Sequence, residues 1–323
     1  MKTPTVTLSL AQIQDFISDV NLIPIIEEGF VALSSKQAVV PPVGELLFEE
    51  PVGETHIKYG YIKQQPYYIV KIASGFYENP KIGLKSSQGV MLLFSQKTGE
   101  LLTVLLDEGY LTDIRTVVAS MITIKHLAPK NTSCIGIVGT GIQAQLQLEY
   151  LHQVSSCKNI VIWGRNKEKA NAFKAKFNGK YSITIADTMD ELAAQSNVII
   201  TTTPTTKPLL LAHQIKKGTH ITAIGSDTSE KIELAPEIIQ KADLVVSDSI
   251  EQSKTRGELF KAREQNYLDE TKLIELGNLI QDPTLGRQNN QQITVADLTG
   301  VAVQDIMIAT AVYNNYKNKP HEH

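Results

Sequence analysis

The sequence predicts an α/β protein in which a doubly wound parallel sheet is joined to a second, mixed α+β domain. From residue 133 onward, short apolar runs alternate with amphipathic helical patterns, as in a parallel sheet that is covered on both faces. Residues 46–106 contain short β-rich runs separated by glycine, proline and turn-like sequences, which indicates a mixed or antiparallel sheet. We therefore assign residues 118–297 to the parallel-sheet domain and residues 1–117 with 298–323 to the mixed domain.

Helical spacing marks three segments outside the alternating half of the chain. Residues 8–35 have helical spacing, with Phe16, Val20, Ile23, Ile26 and Phe30 as the expected core face. Residues 111–127 predict a helix with Thr112 or Asp113 as its N-cap, and residues 294–316 predict a long final helix. The β-rich runs are THIKYGYI, PYYIVKIASGFY and VMLLFSQKTGELLTVLL, and the later strand candidates are CIGIVG, NIVIWG, SITIA, NVIITTT, HITAIG and LVVSD.

Composition narrows the class of protein. The 323 residues are 42% hydrophobic and carry a formal net charge of -3, so a basic surface for nucleic acid is not expected. The two cysteines, Cys134 and Cys157, are too few for a disulfide framework or a zinc cage, and we expect no metal site. The sequence has no signal-peptide pattern and no apolar run long enough to cross a bilayer, so we expect a cytoplasmic protein without a membrane partner.

The run GIVGTGIQA at residues 136–144 is typical of a dinucleotide-binding turn. It follows an apolar strand, opens a helix, and is followed by a second apolar strand at the expected distance. Gly139 would permit the tight turn, and Gly141 would let backbone N–H groups approach a pyrophosphate at the helix N-terminus. Ala144 would allow the helix to pack closely on the strand.

The end of the next strand, WGRNKEKA, indicates which nicotinamide cofactor is used. A site for NAD usually has Asp or Glu at this position to hold the ribose 2′-hydroxyl, but here Arg165 and Asn166 follow Gly164, with Lys169 one turn later. A guanidinium can pair with a 2′-phosphate through two parallel hydrogen bonds. We therefore predict NADPH as the preferred cofactor and NADH as the alternative.

Two further strand ends carry candidate site residues, because ligands of open α/β sheets bind beyond the carboxyl ends of the strands. The loop TTTPTTKP, with Thr202 and Thr203, would border the cofactor. Asp227 lies two residues after the strand HITAIG, and a carboxylate there could stabilise a protonated imine or relay its proton. The full predicted cofactor-binding set is Gly139, Thr140, Gly141, Gln143, Ala144, Arg165, Asn166, Lys169, Thr202, Thr203 and Thr112.

Several stretches together resemble one family over essentially the whole chain. LLTVLLDEGYLTDIRTVVAS, GIVGTGIQAQ, IWGRNKEKA, VIITTTPTTKPLL, GTHITAIGSD, KIEL, LVVSDS and TVADLTGVAVQD occur in the order and spacing of the ornithine cyclodeaminase/mu-crystallin family. The resemblance implies a homodimer with a Rossmann-like domain and a second domain that binds substrate and dimerises. It also implies redox chemistry at a carbon that bears both nitrogen and a carboxylate.

The resemblance assigns roles to three side chains. Lys71, in YYIVKIASGF, and Arg115, in LTDIRTVVAS, match the family's substrate lysine and arginine and would hold a carboxylate. Asp227, in AIGSD, matches the aspartate that contacts the substrate nitrogen and would act as proton shuttle. We therefore expect Asp227 and Lys71 to be catalytic and Arg115 to bind substrate.

Two departures from the cyclodeaminases lie upstream. Gly44, in VVPPVGELLF, stands where they carry an arginine, and Lys58, in THIKYGYI, stands where they carry a glutamate suited to a cationic amine. A lysine there would repel the side-chain ammonium of ornithine, which disfavours cyclodeamination. Lys58 and His56 lie on one side of a strand and could replace the missing arginine as carboxylate ligands, and Ser87 is a further candidate for substrate binding.

These residues are most similar to the Δ1-pyrroline-2-carboxylate reductase branch. We expect NADPH-dependent reduction of this cyclic imino acid to L-proline, and the six-membered Δ1-piperideine-2-carboxylate, which gives L-pipecolate, is a second expected substrate because one methylene is weakly discriminated. The alternatives are an NAD-dependent alanine-type amino-acid dehydrogenase, an ornithine cyclodeaminase, or a ligand-binding protein like mu-crystallin.

Overall fold

The structure, a computed structural model, describes residues 4–319 of the chain. Two compact units divide these residues: unit 1 comprises residues 4–115 and 301–319, and unit 2 comprises Thr116–Gly300. Across residues 4–319, no helix is long and apolar enough to span a membrane. The predicted α/β class is confirmed, because unit 2 contains a parallel sheet and unit 1 a separate mixed sheet.

Unit 1 is built on a seven-stranded sheet. Its elements are β1 (Val6–Leu8), α1 (Leu10–Ile17), α2 (Leu22–Ser34), β2 (Ala38–Val39), β3 (Gly44–Phe48), β4 (Gly53–Ile62), β5 (Tyr67–Gly75), β6 (Ser87–Ser95), β7 (Leu101–Leu105) and the first residues of α3 (Tyr110–Leu127). The strand order is β1-β7-β6-β5-β4-β2, with β3 also paired to β4. Strands β4 to β7 are antiparallel and β1 is parallel to β7, so the expected mixed sheet is present.

The helical spacing over residues 8–35 corresponds to two helices, α1 and α2, which follow the end of β1. Proline lacks the N–H that a helix interior needs, but it is tolerated in a first turn, and α2 begins at Leu22 with Pro24 in that turn.

The predicted N-cap of α3, Thr112 or Asp113, is wrong. This helix begins at Tyr110, and the carboxylate of Asp107 accepts a hydrogen bond from the Leu111 N–H at 2.9 Å.

Unit 2 contains an eight-stranded sheet in which all pairs are parallel. After α3 come β8 (Ile135–Val138), α4 (Ile142–Tyr150), β9 (Asn159–Trp163), α5 (Lys167–Lys176), β10 (Ser182–Ile185), α6 (Met189–Gln195), β11 (Val198–Thr201), β12 (His220–Ala223), α7 (Glu237–Lys241), β13 (Leu244–Ser247), α8 (Glu258–Glu264), β14 (Leu273–Glu275), α9 (Leu276–Gln281) and β15 (Thr294–Asp297). The chain then returns to unit 1 and ends in α10 (Ala302–Asn318).

The strand order of unit 2 locates its ligand-binding edge. The order is β10-β9-β8-β11-β12-β15-β13-β14, so the chain proceeds in one direction from β8 and resumes on the other side at β11. Such a reversal is the topological switch point at which doubly wound sheets bind ligands, beyond the carboxyl ends of the strands. Strands β8, β11 and β12 are buried at every residue, as expected for a sheet covered on both faces.

The final predicted helix, residues 294–316, is wrong at its start. Residues Thr294–Asp297 form β15, which pairs with β12 on one side and β13 on the other, and the helix begins only at Ala302. Gly300 has a φ of 76°, which interrupts helical geometry between the two elements. Helix α10 packs against α1, α2, β4 and β5, and Gly29 permits the close approach, since a Cβ there would lie 2.8 Å from the Met307 Cγ.

Candidate active site

A group of buried cations lies on the helix-covered face of the unit 1 sheet. Lys58 on β4 and Lys71 on β5 are directly opposite in register, and only 5% and 1% of their surfaces are exposed. Like charges in such a cross-strand pair destabilise a sheet. A compensating anion is therefore required beside them.

Helix α10 supplies that anion. The Asp305 carboxylate is fully buried, and its Oδ1 lies 3.1 Å from the Lys71 Nζ and 2.8 Å from the Arg115 Nε. A second donor of Arg115, Nη1, bonds the Gln304 side-chain oxygen at 2.8 Å. Two of the predicted residues, Lys71 and Arg115, are thus brought together on one carboxylate. Gln304 and Asp305, both on α10, were missed by the sequence analysis.

The cluster of Lys58, Lys71, Arg115 and Asp305 keeps an excess of positive charge. Burial, with the neighbouring Arg115 guanidinium, lowers the pKa of Lys71 to about 8. Burial acts to raise the pKa of Asp305, but the surrounding Arg115, Lys71 and Lys58 outweigh it and leave that pKa lowered, so the carboxylate stays ionised. Within this cluster three cations face the carboxylate of Asp305, and Asp107 acts on Lys71 as a further acid, so the cluster suits a second anion such as a substrate carboxylate.

The other two predicted substrate residues differ in position. His56 is buried two residues before Lys58 on the same strand, and its Nε2 lies 3.0 Å from the Glu45 carboxylate on β3. Ser87 pairs with Gly75, whereas Lys71 pairs with Met91. That offset of four residues places Ser87 about 13 Å along the sheet from Lys71. His56 therefore borders the cluster and Ser87 lies outside it.

In unit 2, the glycine turn after β8 has the geometry of an anion cradle. Gly139 has a φ of 123°, and a Cβ there would lie 2.3 Å from the Thr202 Oγ1. Gly141 is the N-cap of α4, and a Cβ there would meet no described atom within 4 Å. Space in front of the N-terminus of a nine-residue helix fits a pyrophosphate. The fully buried Ala144 packs the helix on the sheet, with Thr140 and Gln143 half-buried at the turn.

The residues after β9 lie at the start of α5. Asn166 caps this helix, since its side-chain oxygen accepts a hydrogen bond from the Lys169 N–H at 2.9 Å. Arg165 and Lys169 are exposed beside it. Gly164 allows this turn to approach the first one, because a Cβ there would lie 2.6 Å from the Thr140 Cγ2. The basic side chains are thus presented at the same edge of the sheet as the glycine turn.

A buried glutamate, missed by the sequence analysis, joins the next two strand ends. One oxygen of Glu233 accepts hydrogen bonds from the Thr203 N–H at 2.6 Å and the Thr203 hydroxyl at 2.7 Å. The other accepts from the Thr201 hydroxyl and the Gly225 N–H, both at 2.8 Å. Burial raises the pKa of Glu233 to about 7, against the opposing effect of these bonds. Thr202 serves the first turn instead, donating to the Val138 carbonyl at 2.9 Å.

Asp227 lies in the loop after β12 and is paired. Its Oδ1 is 2.7 Å from the Lys231 Nζ, and its side chain is 35% exposed while that of Lys231 is 10% exposed. Arg256 donates from Nη1 to the Asp227 carbonyl at 3.1 Å. Thr112, the last predicted cofactor residue, is half-buried in the first turn of α3, in unit 1.

Comparison with known proteins decides the family. The sequence model of the ornithine cyclodeaminase/mu-crystallin family matches residues 4–320. The chain belongs to this family. A protein of Sinorhizobium fredii named as an uncharacterized cyclodeaminase is 38% identical over 93% of the chain and 92% of its own length.

Two further proteins are similar to this chain over nearly their full lengths. The alanine dehydrogenase of Archaeoglobus fulgidus is 33% identical, with 98% of this chain and 96% of that protein covered. The structure of the Thermococcus litoralis Δ1-pyrroline-2-carboxylate reductase, in complex with NADH and L-proline, is 28% identical, covers 97% of each chain and superposes with a TM-score of 0.90. The family resemblance inferred from the sequence motifs is therefore confirmed.

Proposed function

We propose that the protein reduces a small cyclic imino acid with a nicotinamide cofactor, Δ1-pyrroline-2-carboxylate to L-proline being the lead reaction. The observation that carries the proposal is the group of three buried cations, Lys58, Lys71 and Arg115, beside the carboxylate of Asp305. It offers donors and positive charge to a substrate carboxylate. The similar reductase of Thermococcus litoralis, described with NADH and L-proline, supports the same reaction.

The group of Lys58, Lys71 and Arg115 also limits which amino and imino acids can bind. A substrate side chain bearing an ammonium would face the buried Lys58 and be repelled, which disfavours ornithine cyclodeamination. A ring carrying one extra methylene changes binding by only about 1–3 kcal/mol, so Δ1-piperideine-2-carboxylate is a second proposed substrate.

The turns of unit 2 fit a nicotinamide cofactor. Gly139, Gly141 and the start of α4 would hold the pyrophosphate, with Thr202 and Thr203 beside it, and the bound cofactor supplies the hydride. We assign the family role at the substrate nitrogen to Asp227. A carboxylate favours the protonated imine, which is the better hydride acceptor.

We further propose a preference for NADPH over NADH, based on the exposed Arg165 and Lys169 at the start of α5. Arg165→Asp should raise the KM for NADPH roughly 10- to 100-fold, because a bidentate contact is exchanged for repulsion. The KM for NADH should change little, and Lys180→Asp, at an exposed lysine elsewhere in unit 2, is the control. An unchanged KM for NADPH would refute the 2′-phosphate assignment.

The central experiment is a steady-state assay of the purified wild-type protein with NADPH and NADH against both cyclic imines. We expect turnover of Δ1-pyrroline-2-carboxylate with L-proline as product, identified by chromatography. Activity below background on both imines with both cofactors would overturn the proposed reaction. Including L-alanine and pyruvate with ammonia in the same assay tests the second candidate, which the similarity to the Archaeoglobus alanine dehydrogenase favours.

The sheet of unit 1 supports a homodimer. Its face opposite α10 carries apolar side chains, among them Tyr59 and Tyr61, 40% and 37% exposed, and the stacked rings of Tyr68 and Phe94. A patch of this kind on a sheet face is typical of an association surface. We propose that two copies pair there, as the family resemblance implies. Sedimentation should show a dimer that Tyr61→Glu weakens.

A further inference from the structure

We propose that Lys231 is a positioning residue that keeps Asp227 ionised and fixed, so that Asp227 acts as a permanent negative charge beside the substrate nitrogen. This inference rests on the proposed function. It changes the role of Asp227 from a proton shuttle to an electrostatic partner. The proton on nitrogen would then come with the bound iminium form of the substrate.

Gly225, Ser226 and Asp227 are three consecutive residues of the loop after β12. Each of them contacts the segment Lys231–Glu233. Glu233 accepts from the Gly225 N–H at 2.8 Å, and the Lys231 carbonyl accepts from the Ser226 hydroxyl at 2.6 Å. The Lys231 ammonium then bonds the Asp227 carboxylate at 2.7 Å. Each loop residue thus has its own contact with one short segment, which fixes the direction in which the Asp227 carboxylate points.

The positive charge of Lys231 favours the ionised form of the Asp227 carboxylate. Lys231 is 8% exposed, and a largely buried ammonium is costly unless an anion compensates it. An opposite charge at hydrogen-bond distance also favours the ionised form of a carboxylate. The Arg256 guanidinium, bonded to the carbonyl of the same aspartate, acts in the same direction. The nearby acid Glu233 accepts hydrogen bonds from Thr201, Thr203 and Gly225.

An ionised Asp227 is sufficient for the chemistry. The protonated imine accepts hydride at its ring carbon, the carbon–nitrogen π electrons become the lone pair on nitrogen, and the product is the neutral secondary amine with the oxidised cofactor. Both hydrogens are then accounted for, one as hydride and one as the proton already on nitrogen. Asp227 lowers the energy of this cation without transferring a proton itself.

The test is a double-mutant cycle of Lys231→Met and Asp227→Asn, measured as kcat and as cofactor Kd by the fluorescence of the bound reduced nicotinamide. Lys231→Met should lower kcat roughly 10- to 100-fold with Kd within twofold, and Lys231→Arg should restore most of it. In the Asp227→Asn background the lysine substitution should have little further effect, because residues acting as a unit are not additive. Lys254→Met, in the exposed pair with Glu251, is the matched control.

Two results would overturn the proposal: an unchanged kcat in Lys231→Met, or an equal loss from that substitution in both backgrounds. The cycle is run on whichever substrate the wild-type protein turns over fastest among the imino and amino acids above. A wrong substrate assignment then shows in the wild-type assay alone. Absence of all nicotinamide-dependent turnover would overturn both proposals.

Discussion

Unit 1 and unit 2 each bury a group of ionisable side chains, and these groups have different partners. In unit 1, Lys71 and Arg115 share the side chain of Asp305. In unit 2, Glu233 and Glu258 accept hydrogen bonds from backbone N–H groups, including those of Thr203, Gly225 and Leu234. Backbone donors are fixed once the fold forms, whereas side-chain cations in excess can still engage an added anion. We infer that the buried acids stabilise the fold and that the buried cations bind substrate.

The largest expected effect is on thermal stability, and it tests the structural role of the buried acids of unit 2. Glu233→Ala would leave two backbone N–H groups and two hydroxyls without their acceptor, costing about 3–4 kcal/mol and lowering the Tm by roughly 10 °C. Glu233→Gln keeps the shape and should lose less. Differential scanning fluorimetry measures both, with the exposed Glu237→Ala as control. A Tm loss no larger than that of the control would remove the structural role of this carboxylate.

The next largest effect is on substrate KM, and it tests the binding role of the buried cations of unit 1. Arg115→Met should raise the KM for the imino acid roughly 100-fold, since a charge-assisted contact to the carboxylate is lost. The Tm should fall by only a few degrees, because Asp305 keeps its contact with Lys71 at 3.1 Å. Arg115→Lys, which retains the charge, should have a KM between those of the wild-type protein and Arg115→Met. A Tm loss equal to that of Glu233→Ala would erase the contrast between the units.

A smaller effect concerns pH. The pKa of Lys71 is lowered to about 8, and only its protonated form attracts a carboxylate. Binding of a planar carboxylate without an ionisable nitrogen, such as furan-2-carboxylate, should therefore be constant below pH 8 and weaken above it, approaching tenfold per pH unit where Lys71 dominates. Inhibition constants between pH 6 and 10 measure this. Lys71→Arg should be flat over the same range, and a wild-type profile without an inflection would contradict the assignment.

The smallest effect separates stability from binding within one residue. Lys58→Met removes a like charge opposite Lys71 and also an attraction to Asp305, so the free energy of unfolding should change by no more than about 1 kcal/mol. The KM for the imino acid should nevertheless rise severalfold. Thermal melting and steady-state kinetics on the same preparation measure the two quantities. A larger fall in stability would show that Lys58 is a structural residue.

The elements that the sequence indicates well are those with a strong local pattern. The glycine turn at Gly139 and the apolar strands around it follow from short-range rules. Strand β15 was missed because an apolar segment that leads into a helix has the same composition whether it continues the helix or enters a sheet. Its position between β12 and β13 depends on pairing with residues far away in sequence.

The missed site residues share a similar cause. Asp305 stands among apolar residues in VAVQDIMIATAV, and this isolated acid in an otherwise buried helix was the available signal. Its partners Lys71 and Arg115 are more than 180 positions away, so no spacing rule connects them. Glu233 and Lys231 lie in the KIEL stretch, which only the family resemblance marks as distinctive.

Because the chain returns to unit 1 at Val301, unit 1 is the last part of the protein to be completed during synthesis. Lys58, Lys71 and Arg115 leave the ribosome early, but Asp305 follows only after all of unit 2, Thr116–Gly300, has been synthesised. Until then the N-terminal segment has three cations without the carboxylate and without helix α10 that covers their strands. A nascent chain stopped at residue 300 should therefore leave the unit 1 sheet open to proteases and chaperones, while unit 2 has all of its own strands.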